Sequence, residues 1–269
     1  MLDAIAESYV RLVLTVGNHD ADYVDAYYGD PSWRASAESS TESLGQLQME
    51  AERLIAAVGA LSPSGEPMVE LRQKYLRSQL LAVEARLRML EGESFPFDEE
   101  SAALYDAVAP HHGEAYFEAL LANLDPLLPG EGSIDERWNR FRSGYVIPPE
   151  KLDAVFQAAI TACRERTEPQ LELPTDESFK LEYVKDKPWS GYNWYQGGFA
   201  SLIQVNTDLP IYIDRAIDLA CHEGYPGHHV YNALLEKHLV QGRGWVEFSI
   251  YPLFSPQSLI AEGTANFGT

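Results

Sequence analysis

Residues 67–91 constrain the fold most, because they can form little other than one long helix. The segment begins with Pro67, whose fixed φ suits the first helical turn, and continues as "VELRQKYLRSQLLAVEARLRML", a run of strong helix formers. Gly92 follows as a stop signal. Apolar residues at helical spacing predict further helices at 2–17, 41–61, 97–109, 113–126 and 149–166. Residues 1–170 are therefore predicted to be mostly helical.

Near residue 170 the pattern changes from helical spacing to alternation. "SFKLEYV" (178–184) and "ASLIQVNT" (200–207) mix β-forming residues with alternating polar ones, which predicts two short strands. "KPWSGYNWYQGGF" between them indicates a loop, so the simplest pairing of the two strands is antiparallel. We predict one mainly helical domain over 1–269. Within it, 171–269 holds a small antiparallel sheet followed by helices.

Composition excludes some classes of partner and favours one compartment. The formal net charge of −21 repels phosphate backbones and anionic lipids, so neither nucleic acid nor a membrane is an expected partner. The N-terminus lacks the basic start of a secretory signal, and no stretch of about 18 apolar residues occurs. Cys163 and Cys221 are far apart, and we expect both to be free, with Cys221 buried. These features predict a cytoplasmic protein.

The stretch "DLACHEGYPGHHVYNALLE" (218–236) begins like the zinc-protease motif H-E-x-x-H, with His222 and Glu223. Pro226 stands where the second histidine of that motif belongs. Because proline and its neighbouring glycines interrupt a helix, we expect a break near residues 225–227 and a restart at His228. A two-residue bulge would then bring His228 to the position that the second ligand normally takes.

A catalytic metal site needs a third protein ligand and an open position. Glu262, in the helical-looking stretch "LIAEGTANFG", is the candidate, and it would complete a His₂Glu site for one zinc ion. Asn266 and Asp218, each four residues from a candidate ligand, could orient a histidine. His229 points about 100° away from His228 on a helix, so we expect it to be structural or to face the substrate.

These residue types together indicate metal-assisted hydrolysis. Zinc would lower the pKa of its bound water to about 7, and Glu223 could accept a proton from that water during attack on a carbonyl. "SLIQVNT" could offer a strand edge to an extended peptide. Aromatic side chains of the preceding segment could line a pocket beside it: Tyr192, Trp194 and Tyr195.

The motif resembles that of a bacterial family of metallopeptidases, the domain-of-unknown-function family 885. That family carries H-E-x-x-P-G-H-H, matched here by His222, Glu223, Pro226, Gly227, His228 and His229. Its E-G pair matches Glu262 and Gly263, while Thr264 stands where the family often has tryptophan. The resemblance covers roughly 190–269 and implies a helical gluzincin-like peptidase fold. That fold continues after the glutamate, so we expect this chain to be truncated at its C-terminus.

The leading hypothesis is therefore a zinc metallopeptidase that cleaves short or unfolded peptides. Hydrolysis of a non-peptide amide or ester, and metal or peptide binding without turnover, stay open as alternatives. A hydrogen-bond donor within reach of the metal-bound carbonyl oxygen would distinguish an enzyme from a protein that binds without turnover. Tyr225 and Tyr231 are the candidates for this donor.

The acidic, aromatic stretch 20–31 lacks a calcium-loop pattern, and we expect a helix there. Oligomeric state is not indicated.

Overall fold

The computed structural model describes residues 1–268, and these residues form a mainly helical fold. The helices are α1 (Leu2–Val16), α2 (Pro31–Glu38), α3 (Leu44–Gly59), α4 (Pro67–Leu90), α5 (Phe97–Tyr105), α6 (Glu114–Leu124), α7 (Ile134–Ser143), α8 (Leu152–Thr167), α9 (Ile213–Leu219), α10 (His228–Leu235) and α11 (Pro256–Gly268). Each helix predicted before residue 170 is present, with small differences at the ends. Helix α7 was not predicted, although Ser133 and Glu136 form a capping box at its start.

The largest apolar core joins α1, α3 and α4. Tyr9 and Val13 of α1 are fully buried against Leu54 of α3 and Leu80 of α4. The apolar residues recur every three or four positions on each helix, so one stripe of each faces this core. Helix α11 returns from the other end of the chain to contact α4, where the Tyr75 hydroxyl donates to Gln257 at 2.5 Å. The helical layer thereby supports α11, which carries Glu262.

The small sheet before the motif has three strands rather than two. The strands β2 (Ser178–Val184), β3 (Gly191–Gly197) and β4 (Ala200–Asn206) lie in the order β2-β4-β3. The prediction that 178–184 and 200–207 pair antiparallel is wrong, because β2 and β4 are parallel. The antiparallel partner of β4 is β3, which forms from the segment expected to be a loop. Gly197 and Gly198, both with positive φ, provide the tight connection between β3 and β4.

A second sheet has two strands, and one of them lies within residues 20–31, where a helix was predicted. Strand β1 (Val24–Tyr27) pairs antiparallel with β5 (Ile250–Pro252). The helix begins only at Pro31, after Asp30 caps it by accepting from the Ser32 amide at 2.8 Å. The helix prediction for 20–31 was wrong because the partner of β1 lies at the opposite end of the chain.

Cys163 and Cys221 form a disulfide bond, so the expectation of two free cysteines is wrong. Both residues are buried, as expected for Cys221, in an apolar cluster between α8 and the motif. Disulfides persist in oxidising compartments, and the bond therefore removes the cysteine argument for a cytoplasmic location. Within residues 1–268, no helix has the length and apolar character needed to cross a membrane.

We expect replacement of both cysteines by alanine to lower the free energy of unfolding by about 2–4 kcal/mol, since the bond closes a loop between residues 58 apart. Urea denaturation without reductant measures this difference. Adding a dithiol to the wild-type protein should reproduce it. Equal stability of the variant and the wild type, with two free thiols in the wild-type protein, would contradict the bond.

Candidate metal centre

The metal motif lies on a helix that breaks and restarts, as the sequence predicts. Helix α9 runs into a π-helical turn at Ala220–Gly224, the chain leaves the helix at Tyr225, and α10 begins at His228. The Tyr225–Pro226 peptide bond is cis. The wider π-turn and the break bring His222 and His228 to the same side of the chain, although they are six positions apart in the sequence instead of four.

Gly227 is required at the break because the chain approaches itself closely there. A Cβ atom on Gly227 would lie 1.8 Å from the carbonyl oxygen of His222 and 2.5 Å from that of Cys221. The Gly227 amide donates to the Cys221 carbonyl at 2.9 Å. The same backbone contact therefore fixes the segment before His222 against the segment before His228.

Three side chains converge at this point: His222, His228 and Glu262. The two histidine Nε2 atoms are 3.1 Å apart. Glu262 of α11 places one oxygen 3.3 Å from Nε2 of His222 and the other 3.3 Å from Nε2 of His228. Among the described residues, these three form the group whose donor atoms could hold a metal ion. The structure thus brings together the three ligands proposed from the sequence.

Electrostatics of the group favour an ionised Glu262 carboxylate beside the two imidazole rings. Hydrogen bonds from His222 and His228 hold the pKa of Glu262 well below its usual range. The contact with Glu262 in turn raises the pKa of His222 above its ordinary value. The two histidine side chains are only 16% and 12% exposed, so they are shielded while the Glu262 carboxylate is reachable.

Glu223 is buried beside the three donors, and β3 fixes its backbone. The Asn193 side-chain amide donates to the Glu223 carbonyl oxygen at 2.7 Å, which satisfies a carbonyl of the π-turn. A Cβ atom on Gly191 would lie 3.1 Å from the Glu223 carboxylate, so a glycine there leaves room for it. Burial raises the pKa of Glu223, while the neighbouring histidines lower it.

These residues line a cavity of about 810 Å³. One wall comes from the β2–β3 connection and β3, and includes Trp189 and Tyr192. The predictions for the other two aromatic residues are wrong. Trp194 is 41% exposed and donates to Gln204, while Tyr195 is buried and donates to Glu236 at 2.6 Å. Neither lines the cavity, because both lie further along β3 than Tyr192 and Asn193, the last residues of the strand that do.

His229 points away from the metal group, as the helical geometry predicts. It is fully buried, and its ring nitrogens lie 2.8 Å from a Glu177 carboxylate oxygen and 2.9 Å from the Ser201 hydroxyl. Burial raises the pKa of Glu177, but hydrogen bonds from His229 and Tyr225 outweigh it and leave that pKa below its ordinary value. His229 therefore fixes α10 against the sheet.

Tyr225 and Tyr231 do not act as donors in the cavity, so those two predictions are wrong. The Tyr225 hydroxyl donates to Glu177 at 2.7 Å, behind the motif. Tyr231 packs against a small apolar cluster of β1, β5 and α11 and is absent from the described cavity lining. Neither hydroxyl therefore has a described contact in the cavity.

The two residues proposed to orient histidines differ in their placement. Asp218 forms an ion pair with Arg215, and it affects His222 only as a nearby negative charge. Its predicted hydrogen bond to a histidine is wrong. Asn266 lies one helical turn after Glu262 and lines the cavity beside it. No described hydrogen bond joins Asn266 to a histidine.

Sequence reasoning missed Asp25 and Tyr251, which line the cavity from the second sheet. Burial raises the pKa of Asp25 to about 7; the charge of His228 lowers it, and those of Glu262 and Glu223 raise it further. Tyr251 is buried, and its hydroxyl lies 3.2 Å from that of Ser258. The sequence signal for these residues was the strand-like alternation in 24–27 and 250–252, which would have indicated β1 and β5. Both segments are short, and the alternation was not recognised.

Comparison of the chain with known protein families, with characterised proteins and with solved structures yields no match. The resemblance to family 885 therefore rests on the motif residues alone and stays a hypothesis.

We predict that Gly227→Ala lowers the free energy of unfolding by about 1–3 kcal/mol and weakens metal binding, because the added methyl group forces the two motif segments apart. Chemical denaturation and metal titration measure the two effects. Gly59→Ala is the matched control, since a Cβ there meets nothing within 4 Å. A Gly227→Ala protein with wild-type stability and metal affinity would refute the close-approach argument.

Alanine variants of the three histidines should separate ligands from structural residues. His222→Ala and His228→Ala are each expected to lose bound metal, because each removes one donor of the group. His229→Ala is expected to retain most of the metal but to lose about 1–3 kcal/mol of stability, since Glu177 loses a buried partner. Elemental analysis with denaturation measures both. Loss of metal in His229→Ala with retention in His228→Ala would reverse the assignment.

Proposed function

We propose that this chain is a zinc-dependent hydrolase that cleaves peptide bonds. The observation that supports it most is the spacing of the donor atoms. Tetrahedral zinc with bonds of about 2.0–2.1 Å needs ligand atoms about 3.3 Å apart. The three contacts between donor atoms of His222, His228 and Glu262 measure 3.1–3.3 Å. Two imidazoles and one carboxylate also fit the donor preference of zinc, and leave a coordination position open.

When bound, zinc supplies a Lewis acid that polarises the substrate carbonyl and lowers the pKa of water. Glu223 then serves as the general base: it accepts a proton from the attacking water and returns it to the leaving amine. Burial raises the pKa of Glu223 above its ordinary value, which makes the carboxylate a stronger base for the water proton. Asn193 holds its backbone while the proton moves.

The sheet suggests how a peptide would lie in the cavity. The expectation that β4 offers a free edge is wrong, since β4 is paired on both sides. Strand β3 borders the cavity through Gly191, Tyr192 and Asn193, and it pairs with β4 alone in its sheet. An extended peptide lying along β3 would pass the metal group and Glu223. A cavity of about 810 Å³ suits a short peptide better than a folded protein.

The test compares the wild-type protein with Glu223→Gln for zinc content and for cleavage of a mixed peptide library. We expect one zinc per chain in both, and a rate about 10²–10⁴-fold lower in Glu223→Gln, because the variant lacks the base but keeps the ligands. Glu99→Gln, on an exposed position of α5, is the matched control and should cleave at the wild-type rate.

Other outcomes separate the alternatives. Zinc in all three proteins with no peptide cleavage by the wild type would leave either hydrolysis of an amide or ester outside peptides, or binding without turnover. Cleavage of an activated ester by the wild type and Glu99→Gln, but not by Glu223→Gln, selects the former. Absence of zinc from the wild-type protein would contradict the proposal.

A further inference from the structure

Asp25 is the extra residue of a β-bulge that faces the metal group. Val24 pairs with Pro252 and Ala26 pairs with Tyr251, so the two strands slip by one residue at Asp25. A bulge leaves its extra residue outside the ladder and turns its side chain in a new direction, a device common beside active sites. Asp25 lines the same cavity as His222, His228 and Glu262.

The carboxylate of Asp25 has an unmet need for a cationic or hydrogen-bonding partner. Its Oδ1 atom is inaccessible to solvent and has no hydrogen-bond partner among the described residues. Oδ1 is too enclosed for a ligand to reach, so a ligand in the cavity would contact the other carboxylate oxygen of Asp25, which also has no described hydrogen bond. The side chain is close enough to Glu223 and Glu262 for their negative charges to act on it.

The basic residues of the cavity do not meet this need. Arg215 is engaged by Asp218 and by the Ser190 hydroxyl, and Lys187 lies on the β2–β3 connection. Neither has a described hydrogen bond to Asp25. With a divalent ion balanced by Glu223 and Glu262, Asp25 adds one further negative charge to the cavity when it is ionised, which in the free protein requires a pH above about 7. The site is therefore complementary to one additional positive charge.

A second metal ion is a poor candidate for that charge. Among the described residues, the donor atoms that converge on one point belong to His222, His228 and Glu262, and Asp25 is not among them. A positive charge carried by the substrate fits better. The α-amino nitrogen of a peptide is two bonds from the carbonyl carbon of its first residue, so it reaches a carboxylate beside the metal group. A lysine or arginine side chain would carry its charge several bonds away.

We infer that Asp25 determines specificity by binding the free α-ammonium group of the substrate, so that the enzyme removes the N-terminal residue of a peptide. This inference rests on the proposed function. The peptide ammonium forms a charge-assisted hydrogen bond with the Asp25 carboxylate, and the first carbonyl then lies at the metal group beside Glu223. Peptides with a blocked N-terminus lack the charge and leave Asp25 unpaired.

The experiment uses leucylglycylglycine and its N-acetyl form as probes with the zinc-loaded protein. Calorimetry measures the binding of both to Glu223→Gln, which removes turnover, with and without Asp25→Asn. Cleavage by proteins with wild-type Glu223 gives kcat/KM for the same pair. Asp22→Asn, exposed three residues before Asp25, is the matched control. Zinc content and circular dichroism are recorded for every protein.

We expect the free peptide to bind about tenfold or more tightly than the acetylated one, since a hydrogen bond to a charged group contributes about that much. Asp25→Asn should bring the ratio close to one without changing zinc content, and Asp22→Asn should leave it unchanged. The same ratio in Asp25→Asn and wild type, or equal loss for both peptides, would overturn the inference. A binding preference that depends on Asp25 without any cleavage would retain amine recognition and refute the hydrolase proposal. If Asp25→Asn fails to fold, Asp25→Ala replaces it under the same criteria.

Discussion

The site depends on one contact within the backbone, the approach of Gly227 to the carbonyl oxygen of His222. An unbroken helix would place residues four apart on one face, and the residue four after His222 is Pro226. The π-turn and the break replace that regular geometry. They bring the backbone at 227 so close to the carbonyl oxygen of His222 that only glycine fits there. The positions of His222 and His228 follow from it. Glu262 then reaches both from a separate helix.

Two further sets of contacts stabilise the break on the side away from the cavity. Tyr225 and His229, on either side of Pro226 and Gly227, both contact the buried carboxylate of Glu177. The disulfide joins Cys221, directly before His222, to α8. These contacts are made by residues that never meet the cavity, and they restrict the motion of the residues that do. A buried network in which Tyr225 and His229 share one carboxylate oxygen of Glu177 favours a single arrangement of the site.

The sequence was informative where the physics is local. Proline between glycines predicted the break and the restart at His228, and the helical repeat predicted that His229 turns away from the metal group. Helix α4 was predictable from its composition and its end signals. All of these depend on residues within a few turns of one another.

Features that join distant segments could not be read in this way. The β1–β5 pairing, and with it the direction of Asp25, depends on two short strands at opposite ends of the chain. The parallel pairing of β2 with β4 needed β3 to be recognised as a strand, although its glycines and aromatic residues also suit a loop. Tyr225 was assigned to the cavity because the sequence shows that it lies between the two histidine ligands. The sequence does not show in which direction its side chain points. The disulfide likewise joins residues that only the tertiary fold brings together.

The central claim is that His222, His228 and Glu262 bind one zinc ion. X-ray absorption spectroscopy at the zinc edge tests it most directly, on protein loaded with one equivalent of zinc. We expect a first shell of nitrogen and oxygen atoms at about 2.0–2.1 Å in the wild-type protein, with the multiple-scattering signature of two imidazoles, and loss of this zinc site in His228→Ala. Sulfur scattering at about 2.3 Å, or two imidazoles retained in His228→Ala, would contradict it.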